Sequence, residues 1–218
     1  MSEFLWSRGL DRVDYILATH ADADHIDGLN DVARNFGVRA AIVARTPADD
    51  LEYARFAATM REAAVPVHQI GVGDELRFGE VMARVLWPSP AKSQGAPSRN
   101  NDSVMLLLRY GEKSLLLTGD IERLGEAAVL NEGINLHSDI VKVAHHGSKT
   151  SSTAAFVSAT HPSLAIISVG RHSVFGHPNK EVVERWRAGG AEVITTGEKG
   201  TITVISDGRV LKVSTFVK

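Results

Sequence analysis

The chain has 218 residues, 44% hydrophobic and 23% charged, a balance that suits one sizeable soluble domain with a real core. Its formal net charge of -2 is spread without long runs of either sign, so there is no global basic field of the kind that dominates non-specific nucleic-acid affinity, and any such contact must be local. The absence of cysteine excludes a disulfide framework, a thiolate zinc site and a cysteine nucleophile. Metal ligands must then be histidine and carboxylate, an oxygen-rich set that accepts Mn²⁺ as well as Zn²⁺.

In chain order, the apolar run at 13–18 reads as a buried strand, and after a polar loop 26–36 reads as a helix and 40–43 as a strand. Pro47 followed by Asp49, Asp50 and Glu52 marks the first turn of a helix running to about residue 64, with the acids near the positive end of its dipole. Short β signals follow at 65–70, 75–78 and 81–87, punctuated by Gly71, Gly73 and Gly79; 88–101 is a loop rich in Pro, Ser, Gly and Asn. Strands at 103–110 and 113–118 are joined by Gly111-Glu112 as a hairpin. The remainder reads as a helix at 121–131, a strand at 139–144, a helix from about 152, a strand at 164–169, a helix at 180–188 and three closing strands. No repeat or long linker divides the chain, so 1–218 is expected to be a single layered α/β domain with helices covering sheet. The longest apolar runs are too short to span a bilayer, and Met1-Ser2-Glu3 opens no signal peptide, so the expectation is a soluble chain, cytoplasmic as written.

The most informative stretch is Thr19-His20-Ala21-Asp22-Ala23-Asp24-His25, with four potential metal ligands in six residues directly after the first strand. If the chain stays extended, His20, Asp22 and Asp24 recur with period two and converge on a cation, leaving His25 to turn to a second. The strand at 113–118 ends in Thr118-Gly119-Asp120, and the one at 139–144 leads into His145-His146-Gly147-Ser148. Three strand ends therefore carry metal-competent residues, which is how α/β sheets build sites. Each has a plainer reading when taken alone. Asp120 could cap a helix, His145 to Ser148 could be a tight turn, and His177 in Gly176-His177-Pro178 could be a solvated loop imidazole. His68, His137, His161 and His172 read as surface or core residues. The hydroxyls and charge of Ser148, Lys149, Thr150 and Ser151 could bind phosphate, extended by Arg171 and Lys180.

Together these motifs resemble the metallo-β-lactamase superfamily, whose fold is an αββα sandwich with a dinuclear site on its edge. More narrowly, the chain resembles the C-terminal hydrolase domain of ComEC-type DNA-internalisation competence proteins. That match rests on Thr19-His20-x-Asp22-x-Asp24-His25, Asn101-Asp102-Ser103-Val104, Leu117-Thr118-Gly119-Asp120-Ile121-Glu122 and the run from Lys142 to Ser151. It also uses Ser168-Val169-Gly170 and Gly176-His177-Pro178. The resemblance implies a metal-dependent hydrolase, a nuclease or phosphodiesterase acting on DNA during competence-related uptake. It implies two divalent cations, Mn²⁺ or Zn²⁺, held by His20, Asp22, Asp24, His25, Asp120 and His146, with Asp120 bridging and His145 turned toward substrate. Catalytic roles would fall to Asp24, Asp120, His145 and His177, and substrate contacts to Ser148, Lys149, Thr150, Ser151 and Arg171. Implied partners are the DNA phosphate backbone, with little sequence preference, and a membrane channel domain of the same or another chain, which would make the domain membrane-associated. Related hydrolases share the double-histidine turn. A small-molecule ester or lactone hydrolase and a non-catalytic metal- or protein-binding domain therefore remain the alternatives.

Two departures from the family pattern matter. Asp22 stands where the superfamily usually has histidine, and no histidine occurs near Asn101 to Ser103, so the first metal position is poor in imidazole and expected to prefer Mn²⁺. The chain also begins one strand before His20, so the N-terminal strands of the first sheet are expected to be missing. An open sheet edge invites pairing, including a homodimer through that edge.

Overall fold

Alternation of apolar strands with amphipathic helices builds the first of two units into which the chain divides, Met1–Val72 with Pro88–Val104 and Gly73–Trp87 with Met105–Lys218. The computed structural model describes residues 1–44, 50–88 and 100–217. The first unit runs α1 (Ser2–Ser7), β1 (Arg12–Ala18), α2 (Ala23–Asn35), β2 (Gly37–Ala44), α3 (Leu51–Glu62) and β3 (Val67–Ile70), and includes a 3-10 turn at Asn100–Asp102. Its sheet has the order β1-β2-β3 and is parallel throughout, which requires the crossovers that α2 and α3 provide. Ile26, Leu29, Val32 and Ala33 recur at helical spacing and bury one face of α2 in a cluster with Ile16, Ala18, Ala41 and Val43 of the strands and Phe56 and Met60 of α3. The N-cap of α3 is Asp50, whose side chain accepts a hydrogen bond from the Tyr53 amide at 3.0 Å. Pro47 and Asp49, expected in that first turn, lie outside the described residues, as do 89–99 of the expected loop.

The second unit opens with β4 (Glu75–Phe78), β5 (Val81–Trp87), β6 (Met105–Tyr110) and β7 (Lys113–Leu117), an antiparallel meander. Its two-residue turns start at Gly79 (φ 61) and Gly111 (φ 57), a left-handed backbone that glycine adopts without strain. From β7 onward the sheet is parallel: α4 (Arg123–Asn131) leads to β8 (Ile140–Lys142), α5 (Ala154–Thr160) to β9 (Leu164–Ile167), and α6 (Lys180–Ala188) to β10 (Glu192–Thr195). After α7 (Thr196–Lys199) the described chain closes with the hairpin of β11 (Ile202–Ser206) and β12 (Leu211–Thr215). The seven-stranded order is β10-β9-β8-β7-β6-β5-β4. One face buries Trp87, Met105, Leu107, Leu116 and Val141 with Val129 of α4, Phe156 of α5 and Trp186 of α6, while Leu115, Ile140 and Leu164 on the other side pack with Ile202, Val204 and Leu211 of the hairpin.

Most predicted elements are present, with instructive shifts. The helix expected from residue 26 begins at Ala23, and the strand expected at 139–144 spans only Ile140–Lys142. Asp139 lies just before β8, and its carboxylate accepts the Ser114 amide and hydroxyl, both at 2.8 Å, which clamps the starts of β7 and β8 together. The short helices α1 and α7 carry no periodic signal and were not expected. The register Leu117↔Lys142↔Ile166 brings the C-terminal ends of β7, β8 and β9 to one sheet edge, where the polar motifs fall.

Candidate functional site

In the first unit, β1 stops at Ala18, the chain bends through 19–21, and Asp22 becomes the extended N-cap residue of α2 (φ -71, ψ 140). The expected period of two therefore ends at Asp22. Asp24 and His25 are presented by the first helical turn, with the His25 amide donating to the Asp22 carbonyl at 2.9 Å. A carboxylate there complements the positive end of the dipole. His20 is 2% exposed; its Nδ1 lies 3.0 Å from Thr19 Oγ1 and 3.2 Å from Ser103 Oγ, and its Nε2 lies 3.8 Å from Asp22 Oδ2. His25 repeats the arrangement, with Nδ1 3.4 Å from Thr19 Oγ1 and Nε2 3.7 Å from Asp24 Oδ2. The two rings are 4.2 Å apart. One threonine hydroxyl thus orients both imidazoles, turning each Nε2 toward a carboxylate, an outer-sphere role typical of metal-ligating histidines.

In the second unit, Asp120 follows Gly119 (φ 55) off the end of β7 and is 3% exposed. It does not cap α4, whose N-cap is Glu122. Its Oδ1 lies 3.3 Å from Lys142 Nζ, and its Oδ2 lies 3.4 Å from His146 Nε2. His146 Nδ1 sits 2.7 Å from the Ser168 carbonyl just after β9 and donates to it, so that the neutral imidazole turns its Nε2 lone pair toward the Asp120 carboxylate. A nitrogen lone pair and a carboxylate oxygen held side by side, with the imidazole's second nitrogen anchored, form a donor set that fits a divalent cation.

The turn bearing the histidines is strained. His145 (φ 49, ψ 45) and His146 (φ 53, ψ 23) are consecutive left-handed residues, a backbone that costs roughly 1–2 kcal/mol per non-glycine residue and that clusters at functional sites. Gly147 (φ 77) completes the run, and a Cβ there would lie 2.8 Å from Pro178 Cβ. The Asn179 amide donates to the Gly147 carbonyl at 2.9 Å, which ties the His177 loop to the turn. His177 lies 5.8 Å from the His145 ring; burial, then the neighbouring charges of His145 and His146, hold its pKa below the usual value, with Asp120 acting in the opposite sense.

His145 Nδ1 is 3.3 Å from Glu122 Oε1, and Thr150 Oγ1 donates to the same carboxylate oxygen at 2.7 Å. Ser148 and Ser151 are buried. The Ser151 hydroxyl donates to the Ala144 and Ser148 carbonyls at 3.0 and 3.1 Å, and Ser148 Oγ meets Thr150 Oγ1 at 3.0 Å, so these hydroxyls hold the turn together instead of facing a phosphate. Lys149 and Arg171 are exposed. The Arg171 Nε donates to the Gly197 carbonyl at 3.4 Å.

Several contributors went unassigned from sequence: Thr19, Ser103, Glu122, Lys142 and, most of all, Glu126. Glu126 is fully buried on α4, and its carboxylate accepts the amides of Ser152 and Thr153, the latter at 2.8 Å. Burial pushes its pKa up, against those hydrogen bonds and the charge of Arg185, which itself donates to the Ser152 carbonyl at 2.6 Å. An acid beside Gly125 and Val129 on the buried face of a helix is the signal that could have flagged it.

Residues 1–171 match the family model of the metallo-beta-lactamase superfamily, and the chain belongs to that superfamily. It is 31% identical over 199 residues to ComE operon protein 3 of Bacillus subtilis (strain 168), covering 91% of this chain and 25% of that protein. It is 30% identical over 197 residues to competence protein ComA of Neisseria gonorrhoeae, covering 89% of this chain and 25% of that protein. The chain thus spans about a quarter of the length of these curated relatives. Among solved structures, the metallo-beta-lactamase fold protein YhfI from Bacillus subtilis superposes with a TM-score of 0.53 at 9% identity, covering 89% of this chain and 79% of that one. CmlA, a diiron beta-hydroxylase from Streptomyces venezuelae, gives 0.56 at 15% identity, covering 84% and 43%. The metallo-β-lactamase fold expected from the motifs is therefore present. Among the described residues no helix is long and apolar enough to cross a membrane.

Proposed function

We propose that the chain is a metal-dependent phosphodiesterase that cleaves DNA in the course of DNA uptake, as one part of a longer competence machinery that includes a membrane channel. The observation that carries the metal reading is His146: a left-handed backbone, Nδ1 anchored on the Ser168 carbonyl and Nε2 turned to the buried Asp120. The competence names and lengths of the relatives support the rest. His20, Asp22, Asp24 and His25 of the first unit, and Asp120 and His146 of the second, are the residues that would supply ligands for two divalent cations, and their carboxylate share suits Mn²⁺ at least as well as Zn²⁺. Bound there, the cations supply Lewis acidity, activating water and neutralising charge that develops on a phosphoryl group.

The chain's own residues do the remainder. Glu122 and Thr150 orient His145, so that a proton can be held or released at its Nε2 toward the leaving oxygen. His177 faces His145 from a loop pinned at Gly147 and would close the same side. Lys149 and Arg171 project as exposed cations that would contact backbone phosphates without reading bases. Elemental analysis after dialysis against Mn²⁺, with thermal denaturation in parallel, tests the metal reading. Bound ion and a raised melting temperature are expected in the wild type, because a ligand that binds only the native state stabilises it, and both should be strongly reduced in Asp120→Ala. Wild type without bound ion or thermal shift would refute it.

A further inference from the structure

A carboxylate can serve two cations, one at each oxygen. Asp120 directs Oδ2 toward His146 Nε2 at 3.4 Å, but Oδ1 lies 3.3 Å from the ammonium of Lys142. Lys142 is no loose surface residue. It belongs to β8 next to β7, its Nζ also donates to the Gly119 carbonyl at 3.1 Å, and its own carbonyl accepts the Thr118 hydroxyl at 2.7 Å. Both side chains are largely withdrawn from solvent, at 22% and 4% exposed, so their attraction is only weakly screened.

Resting on the metal reading above, we propose that the Lys142 ammonium acts as a built-in competitor for the second cation: it occupies the Asp120 oxygen that this ion would take and makes the centre bind one divalent ion tightly and a second weakly. Lysine suits the role because its ammonium is a compact point charge on a flexible stem, able to withdraw when a second ion enters. Lys142 is thus a positioning residue that sets metal stoichiometry, and its effect is read without any turnover.

The test is Mn²⁺ stoichiometry by equilibrium dialysis with elemental analysis, together with the electron paramagnetic resonance signature of coupled Mn²⁺ pairs, in wild type, Lys142→Met and Lys142→Arg, each checked for folding by circular dichroism. Wild type should hold one ion at low free Mn²⁺. Lys142→Met should take two, with the second dissociation constant lowered by about tenfold or more, as removal of a cation in contact with the shared carboxylate requires. Lys142→Arg, which keeps the charge, should like wild type hold one ion at low free Mn²⁺ and gain no tighter second one. One ion in both wild type and Lys142→Met, or a second ion gained equally by Lys142→Arg, overturns the proposal while leaving the metal reading intact. No ion in any of the three proteins overturns both.

Discussion

Replacing Gly147 with alanine asks the structure for two separate costs. The residue sits at φ +77, so alanine must adopt a left-handed backbone, at roughly 1–2 kcal/mol. Its Cβ would also fall 2.8 Å from Pro178 Cβ and 3.3 Å from Pro178 Cα, a clash with a residue whose successor is hydrogen-bonded to the Gly147 carbonyl. Overpacking of that kind adds about 1–3 kcal/mol. Gly133 is the matched control: φ is +66, and a Cβ there meets nothing within 4 Å, so Gly133→Ala carries the backbone cost alone. Urea denaturation should give losses of about 1–2 kcal/mol for Gly133→Ala and about 2–5 kcal/mol for Gly147→Ala. At about 2–4 °C per kcal/mol for a chain of this size, the melting temperatures separate clearly. The excess should be accompanied by a shift in the His177 imidazole resonances, because Pro178 can yield only by moving the loop that carries His177. If Gly147→Ala is no more destabilising than Gly133→Ala, or the excess comes with an unmoved His177, the claim that the glycine pins this loop to the histidine turn is wrong.

Glu126→Ala should cost about 2–6 kcal/mol in urea denaturation, since it strips the acceptor from two amides, those of Ser152 and Thr153, at about 1–3 kcal/mol each; a loss below about 1 kcal/mol would mean that water replaces the carboxylate. Asp139→Asn should cost about 1–3 kcal/mol at pH 7, the worth of hydrogen bonds to a charged acceptor. Burial raises the Asp139 pKa, but the Ser114 hydrogen bonds and the Lys113 charge outweigh it, so the folded value lies below the unfolded one. The stabilisation is therefore present above the unfolded value of about 3.9 and lost as pH falls through the lower folded value, and the gap between wild type and Asp139→Asn should close in acid. A gap unchanged across that window would exclude the clamp.

The strands were readable because apolar runs and glycine punctuation mark them. Glu75–Phe78, Val81–Trp87 and Lys180–Ala188 fall where the pattern put them. The motif residues were readable as types and spacings, but their geometry was not. The start of α2 at Ala23 was harder to read, because Asp22 occupies the N-cap position without a side-chain capping bond and the alternation of His20, Asp22 and Asp24 mimics an extended strand. The left-handed backbone at His145 and His146 is imposed by contacts 20 or more residues away, among them the Ser168 carbonyl. The hydroxyls of Ser148 and Ser151 look like phosphate ligands in a sequence and are turned inward by the same fold. Glu126 carries no motif, and Lys142 is legible only as the start of one; the partners that give them their roles lie 22 to 27 residues away and come from the fold.

The most direct measurement of the proposed activity is the initial rate of Mn²⁺-reconstituted protein on single-stranded DNA, a chromogenic phosphodiester and a chromogenic β-lactam, each compared with Asp120→Ala. Metal-dependent cleavage of the two phosphodiesters, abolished in Asp120→Ala and far exceeding any lactam hydrolysis, is the predicted result. Faster lactam than phosphodiester turnover would contradict the DNA-cleaving assignment, and equal rates in Asp120→Ala would contradict the metal-hydrolase assignment itself.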